Sequence, residues 1–294
     1  MLRNALMILN GKGGVLKTTL TAQIAGLAAI SGWRVLAVDL DQQANLARDL
    51  GYVKESDGGA GLLRAVVDRE PLEPIRGVRP NLDVIAGGPD LNRLYRHLTL
   101  ESGANPLRAF DELEQAIKPI AAEYELIVFD SPPGGESVHL EAMSAVHAVV
   151  IPTQADQGSI DGLATVFRTV SSVRKGPNPN LEVLGVALGP VPSQSTRLRA
   201  DTVAQLDGLV GGKVHVFETV VRSAISVAVD CRERGFLVHE YEAAAAEATP
   251  WYKQTRDQRR ERRGFSQAAS GLAGDYQALV GEILGRFHDL RVAA

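Results

Sequence analysis

One cysteine, Cys231, occurs in 294 residues. That excludes a disulfide framework within the chain, and a cysteine-based metal site has too few ligands. The six histidines (His97, His139, His147, His215, His239 and His288) show no close metal spacing. Aromatic residues are sparse, at 5% of the chain. No apolar run approaches the roughly 20 residues of a membrane span. The chain enters an apolar run almost at once, at Ala5–Leu9, so no signal peptide is expected. The formal net charge is only −4. A polycation is therefore excluded, and any binding to nucleic acid must come from a local patch. Against these absences stand a 45% hydrophobic content and 29 glycines. That is enough for a full core in a large α/β domain, and a second domain is not required.

Short apolar runs alternate with helical patterns along the chain. Strands are expected at Ala5–Leu9, Arg34–Val38, Leu82–Ala86, Leu126–Phe129, Ala148–Ile151, Val183–Leu188 and Val214–Phe217. Continuous apolar runs of this kind suit parallel strands buried on both faces. Helices are expected over Thr18–Ile30, over Asn105–Glu123 with Pro119 near a break, and over Gly162–Arg174; residues 51–61 and 176–180 read as loop and turn. The order implies a doubly wound, mostly parallel α/β sheet flanked by helices. Its ligands should bind at the carboxyl ends of the strands. The expected organisation is one domain over 1–294, with 242–294 as a C-terminal helical extension.

The first strand runs into Asn10-Gly11-Lys12-Gly13-Gly14-Val15-Leu16-Lys17-Thr18-Thr19. This is close to the phosphate-binding pattern G-x-x-x-x-G-K-[ST], in which backbone N–H groups curl around phosphate oxygens. Lys17 is placed to neutralise the β/γ-phosphates and Thr18 to ligate Mg²⁺, with the start of the following helix facing the same anion. Leu16 stands where the pattern asks for glycine. A positive φ there would cost a leucine about 1–2 kcal/mol. A tolerated variant, a loop that binds but turns over slowly, and a loop that no longer binds are all open readings.

Two carboxylate segments follow. Val35-Leu36-Ala37-Val38-Asp39-Leu40-Asp41 ends a strand in two acids, and Leu126-Ile127-Val128-Phe129-Asp130-Ser131-Pro132-Pro133-Gly134 ends a second strand in one. A buried strand delivering a carboxylate to the Mg²⁺ shell is the second half of a nucleoside-triphosphate site, which gives Asp130 its expected role. The Asp39 and Asp41 pair alone also fits solvated loop acids, and the Asp130 segment alone is a weak signal because many strands end in Asp.

The early lysine carries a resemblance. Gly11-Lys12-Gly13-Gly14-x-x-Lys17-Thr18-Thr19 resembles the deviant phosphate-binding loop of the ParA/MinD family of dimerising P-loop ATPases. The Asp39–Asp41 segment is similar to the family's D-x-D-P-Q, with Gln42 in place of proline, and Asp130-Ser131-Pro132-Pro133 is similar to its D-x-P-P. The resemblance runs loosely to about residue 290. It implies that ATP and Mg²⁺ are bound and that Lys12 reaches across a homodimer to the partner's nucleotide. By the same resemblance Asp41 orients the attacking water and Asp39 supports the metal shell. Gly11, Lys12, Gly13, Gly14, Val15, Lys17, Thr18 and Thr19 then hold the nucleotide, and Arg222 lies in the segment near the adenine. The single cysteine argues against relatives that carry an iron–sulfur cluster.

Residues 253–263 hold six cations against two acids. Arg256, Arg259, Arg260 and Arg263 fall at helical spacings of three and four, and Lys253 and Arg262 add to the charge. The stripe fits either a solvated face or, as ParA-like relatives imply, non-specific DNA binding. A ParB-like protein would then stimulate hydrolysis, and the chain would be cytoplasmic and nucleoid-associated. In the tail, Ile283, Phe287 and Leu290 share a face without an opposing lysine stripe. A terminal helix packed on the core is favoured there, and membrane binding is not expected. A MinD-like membrane-surface ATPase and a slow, nucleotide-locked DNA-binding switch remain the alternatives.

Overall fold

Side chains in the middle of the central strands alternate between two cores. On β1 (Leu2–Ile8), Ala5 and Met7 enter one cluster while Leu6 and Ile8 enter the other. On β2 (Val35–Asp39), Leu36 and Val38 face the first, Val35 and Ala37 the second. β5 (Leu126–Asp130) divides in the same way, as does β6 (Val146–Thr153) from Ala148 onward. This is the two-residue period of a strand covered on both faces, and it explains why these segments are nearly continuous apolar runs.

The computed structural model describes residues 1–104, 110–192, 195–212, 214–247 and 269–293. With β3 (Ile75–Arg79), β4 (Leu82–Ile85) and β7 (Glu182–Leu188), the strands form one seven-stranded sheet in the order β3-β4-β2-β5-β1-β6-β7. Every neighbouring pair is parallel except β3–β4. Helices α1 (Lys17–Ile30), α2 (Asn45–Asp49), α3 (Ala60–Val67), α4 (Leu91–Ala104), α5 (Glu112–Ala121), α6 (Glu136–Ala145), α7 (Gln157–Lys175), α8 (Thr196–Val210), α9 (Ile225–Arg234), α10 (Val238–Glu247) and α11 (Ala269–Ala293) flank it. β1 sits between β5 and β6, where the strand order reverses, and the crevice at that point faces the loop after β1.

Six expected strands match the structure to within a few residues, and three departures have local causes. The edge strand β3 escapes a hydrophobic reading because it carries Arg76, Gly77 and Arg79, as befits a solvated edge. Val214–Phe217 is not a strand among the described residues. His215 and Phe217 exchange hydrogen bonds with Val186 (2.8 and 3.0 Å), over Gly185, which leaves room for the His215 carbonyl. The N–H groups of Glu218 and Thr219 then donate to the Glu282 carboxylate on α11 (2.9 and 3.0 Å), which draws the chain off the sheet. Helix α5 is shorter than the expected 105–123, of which 105–109 lie outside the described residues, and it continues two residues past Pro119 before ending at Ala121.

The tail helix α11 buries Leu272, Tyr276, Leu279, Ile283 and Phe287 against the α1 side of the sheet. Its apolar stripe is thus enclosed within the molecule. No helix among the described residues is long and apolar enough to cross a membrane.

The turn after α7 is held by Asn178, 3% exposed, whose amide donates to the carbonyls of Met143 and Val146 (2.9 and 2.8 Å) where α6 passes into β6. Asn178→Ala leaves both buried acceptors without this donor. Urea denaturation is expected to show a loss of about 1–3 kcal/mol.

Candidate active site

The loop Leu9–Leu16 leaves β1 and enters α1. Asn10 anchors it at both ends: its amide donates to Pro152 O (2.8 Å) and its Oδ1 accepts from Lys12 N (2.9 Å). Gln154 donates to Gly14 O (2.7 Å), and Gly134 N to Gly11 O (3.1 Å). Gly14 has φ 78°, a left-handed value that glycine adopts without the steric cost a Cβ would bring. Leu16 is also left-handed, with φ 64° and ψ 16°, at the N-terminal cap of α1. It bears the steric cost of that region and does not relax out of it. Its side chain packs beside Leu20, Val221, Tyr276 and Leu279, so burial offsets the backbone term.

Lys17 is 6% exposed, and its ammonium donates to Lys12 O (2.7 Å). Burial lowers its pKa, against the opposing charges of Asp130 and Asp41. Asp39 and Asp130 end adjacent strands in direct register, both fully buried. Asp39 Oδ1 accepts from Asp41 N (2.8 Å), and Asp130 Oδ1 from Thr21 Oγ1 (3.3 Å). Among the described residues, Asp39 Oδ2 and Asp130 Oδ2 have no hydrogen-bond partner. Burial and the charge of its neighbour push the Asp39 carboxyl well up. Burial likewise raises Asp130 to about 7, opposed by the Thr18 side chain and by Lys17. Two buried carboxylates with spare oxygens beside a buried lysine are costly unless a cation completes them. Their donor set of oxygens, with the Thr18 hydroxyl alongside, suits Mg²⁺, which takes one or two carboxylates and keeps waters and phosphate oxygens. Among the described residues no group of three or more His, Cys, Asp or Glu is preassembled for a metal.

Asp41 is 5% exposed, and its turn is closed by Gln43 N on Oδ1 (2.9 Å) and Ala44 N on the carbonyl (3.1 Å). Tyr95 donates its hydroxyl to Leu40 O from α4. Gly87 packs so closely that a Cβ would lie 2.6 Å from both Asp39 Cγ and Asp41 O. A cavity of about 390 Å³ opens here. Gly13, Gly14, Lys17, Thr18, Thr19 and Asp41 line one end, and Ile225, Val229, Leu272 and Tyr276 the other. The structure therefore brings together the loop residues, Lys17, Thr18, Thr19 and the Asp39, Asp41 and Asp130 carboxylates.

Other expected site residues stand apart. Lys12 Nζ bonds Asp156 Oδ1 (2.8 Å) and Ser159 Oγ (2.7 Å) at the start of α7, and these contacts hold the Asp156 carboxyl down to about 2. Val15 is buried below the loop. The Arg222 guanidinium lies on Asp275 of α11 (2.7 and 2.8 Å), against Gly271. Lys253, Arg256, Arg259, Arg260, Arg262 and Arg263 lie outside the described residues. Sequence reasoning missed Gln23, Asn45, Asp49, Cys231 and Arg232, which line the same cavity. None of them sits in a motif; only the packing of α2, α9 and α11 onto α1 brings them there.

For Leu16→Gly, the gain from lifting a left-handed leucine, about 1–2 kcal/mol, opposes a loss of similar size from the vacated packing. Urea denaturation is expected to place the variant within about 1 kcal/mol of the parent.

Comparison with known proteins agrees with this geometry. A family model described as an AAA domain matches residues 3–183. The chain is 31% identical over 218 residues to the chromosome partitioning protein ParA of Myxococcus xanthus, covering 73% of each chain. It is 34% identical over 219 residues to the chromosome-partitioning ATPase Soj of Thermus thermophilus, covering 74% of this chain and 81% of that one. The fold is that of apo McdA from Cyanothece, with a TM-score of 0.74 at 21% identity over 96% of this chain and 99% of the other. With a glycine loop, a buried lysine and paired strand-end carboxylates at one switch point, the chain belongs to the ParA/MinD family of P-loop ATPases.

Proposed function

We propose that the protein binds Mg-ATP in the cavity at the β1–α1 loop, dimerises on it, binds DNA without sequence preference, and hydrolyses ATP to position a cargo. One observation carries the nucleotide reading: the buried, unpartnered oxygens of Asp39 and Asp130 stand on adjacent strand ends in register, with the Lys17 ammonium of the glycine loop under the charge of Asp130. Mg²⁺, when bound, supplies the positive charge that lets both carboxylates ionise and draws electron density from the phosphoryl oxygens. Thr18 and Asp130 would hold it, with Asp39 supporting the shell. The loop N–H groups cradle phosphate, and the Lys17 ammonium stabilises charge on the transferring group. Asp41 orients the attacking water, a role its buried position beside Lys17 supports. Leu16 already holds the left-handed conformation a glycine would take, which supports a working loop.

Lys12 supports the dimer reading. Its side chain is 40% exposed and among the described residues bonds Asp156 and Ser159, so it can leave for a partner's phosphate without disturbing the loop backbone. The stripe Lys253–Arg263 supports DNA binding, by charge alone and with no base-reading motif. Hydrolysis stimulated by a ParB-like protein, with release from DNA, completes the cycle by analogy with chromosome-partitioning relatives. The reading places the protein in the cytoplasm on the nucleoid.

Calorimetry, light scattering and steady-state turnover test the nucleotide part. Lys17→Ala is expected to abolish ATP binding. Lys12→Ala keeps binding within about fivefold but loses the ATP-dependent dimer, and Asp41→Ala binds and dimerises while kcat falls by about 10²-fold or more. Normal dimerisation of Lys12→Ala would remove the cross-dimer role.

DNA affinity across a salt titration tests the rest. Alanine at Arg259, Arg260, Arg262 and Arg263 is expected to weaken binding and flatten the slope of log K against log salt by about 0.9 for each phosphate no longer neutralised. Wild-type affinity would leave the stripe as a solvated face.

A further inference from the structure

The proposed reaction uses Lys12, Lys17, Thr18, Asp39, Asp41 and Asp130. It leaves one charged pair in the cavity wall unused. Asp49, at the end of α2, is 7% exposed. Its carboxylate accepts Arg232 Nε on Oδ1 (2.6 Å) and Arg232 Nη2 on Oδ2 (3.2 Å), a two-pronged contact from α9. The same Oδ2 accepts the Thr19 hydroxyl (3.1 Å) from the first turn of α1. Three elements therefore meet on one carboxylate: the helix that carries Lys17, the helix that follows Asp41, and the helix that walls the cavity.

The local architecture makes this contact consequential. α2 has only five residues, and it is entered through Ala44 at φ 48°. A helix that short has no cooperative stability of its own. Its position is set by what it touches. Leu46 anchors it in the core, and its far end is fixed where Gly51 meets Gly235, with Arg79 donating to Leu50 O (2.8 Å) and to Gly235 O (2.9 Å). Asp49 is its polar tie to α1, two residues beyond Lys17. The Asp41 turn opens directly into this helix, since Ala44 N closes on Asp41 O (3.1 Å). Without a partner, a carboxylate buried beside a phosphate site would repel the ligand. Arg232 neutralises it in place.

We propose that Asp49, oriented and neutralised by Arg232, is a positioning residue that ties α2 to the first turn of α1 through Thr19 and so sets the Asp41 turn over the phosphate site. This rests on the ATPase reading above. The neutralised pair makes no hydrogen bond to the Lys17 ammonium or to the Asp39 and Asp130 oxygens, so the tie itself acts on turnover, while Arg232 keeps the Asp49 charge from opposing nucleotide capture. α9 is held by the same contact, which fixes Ile225 and Val229 at the cavity mouth.

The test compares Asp49→Asn, Arg232→Gln, the double variant and Arg232→Lys with the parent, using Mg-ADP calorimetry, ATP turnover and hydrogen exchange of residues 41–49. Asp49→Asn is expected to bind Mg-ADP within about threefold of the parent and Arg232→Gln to bind it more weakly, because Asp49 is left uncompensated; both should lose at least about tenfold in kcat. The double variant should lose no more than the worse single one, because the pair acts as a unit, and Arg232→Lys should recover part of the rate. Exchange over 41–49 should quicken in both single variants. Unchanged kcat, a loss confined to Mg-ADP affinity, or losses that multiply in the double variant would overturn the proposal. If the parent itself fails to hydrolyse ATP, the ATPase reading falls, and exchange over 41–49 still decides the tie: unchanged protection in Asp49→Asn and Arg232→Gln overturns it.

Discussion

Two carboxylates share one buried corner, and the rest of the molecule is arranged around that constraint. The β2–β5 register sets Asp39 beside Asp130 with each side chain sealed from solvent. Like charges this close in a poor solvent cannot both ionise alone. Burial pushes both carboxyls up, and Lys17 and Thr18 oppose the shift at Asp130. A site of this kind is balanced only when further positive charge arrives. That links stability of the corner to occupancy of the cavity beside it.

The surrounding loops read as devices for holding that corner open and aligned. Gly87 allows the backbone to pass against Asp39 and Asp41, Tyr95 ties the turn between them to α4, and Gly134 links the loop after β5 to Gly11. Each contact joins a different element to the same few residues. The loop after β1, the Asp41 turn and the loop after β5 are therefore coupled mechanically as well as by charge. Leu16 belongs to this set: its left-handed backbone is held by packing between α1 and α11. Local strain at one loop position is balanced by contacts made a long way off in sequence.

Much of this is legible from residues alone. Buried parallel strands announce themselves as unbroken apolar runs, and six of the seven strands can be placed closely from them. The phosphate loop and the strand-end acids are legible because their chemistry requires particular residue types at fixed spacing. The helices are less so. α4, α6 and α9 carry mixed faces whose partners lie in other layers, and the Val214–Phe217 segment has strand composition yet is drawn away by Glu282. A local window of sequence holds no record of that competing acceptor.

The sequence by itself determined the α/β class, the glycine loop with its two lysines, and the acids at the strand ends. Each of these follows from side-chain period or from chemistry confined to a short stretch. Only the tertiary structure decided that Asp39 and Asp130 stand in register, that Lys12 rests on Asp156 and Ser159, that Arg222 turns to Asp275, and that Asp49 gathers Thr19 and Arg232. Those pairings join residues from 30 to 183 positions apart. No local propensity encodes them, because they arise when separate helices bury their apolar faces on one sheet and their polar groups must then find partners.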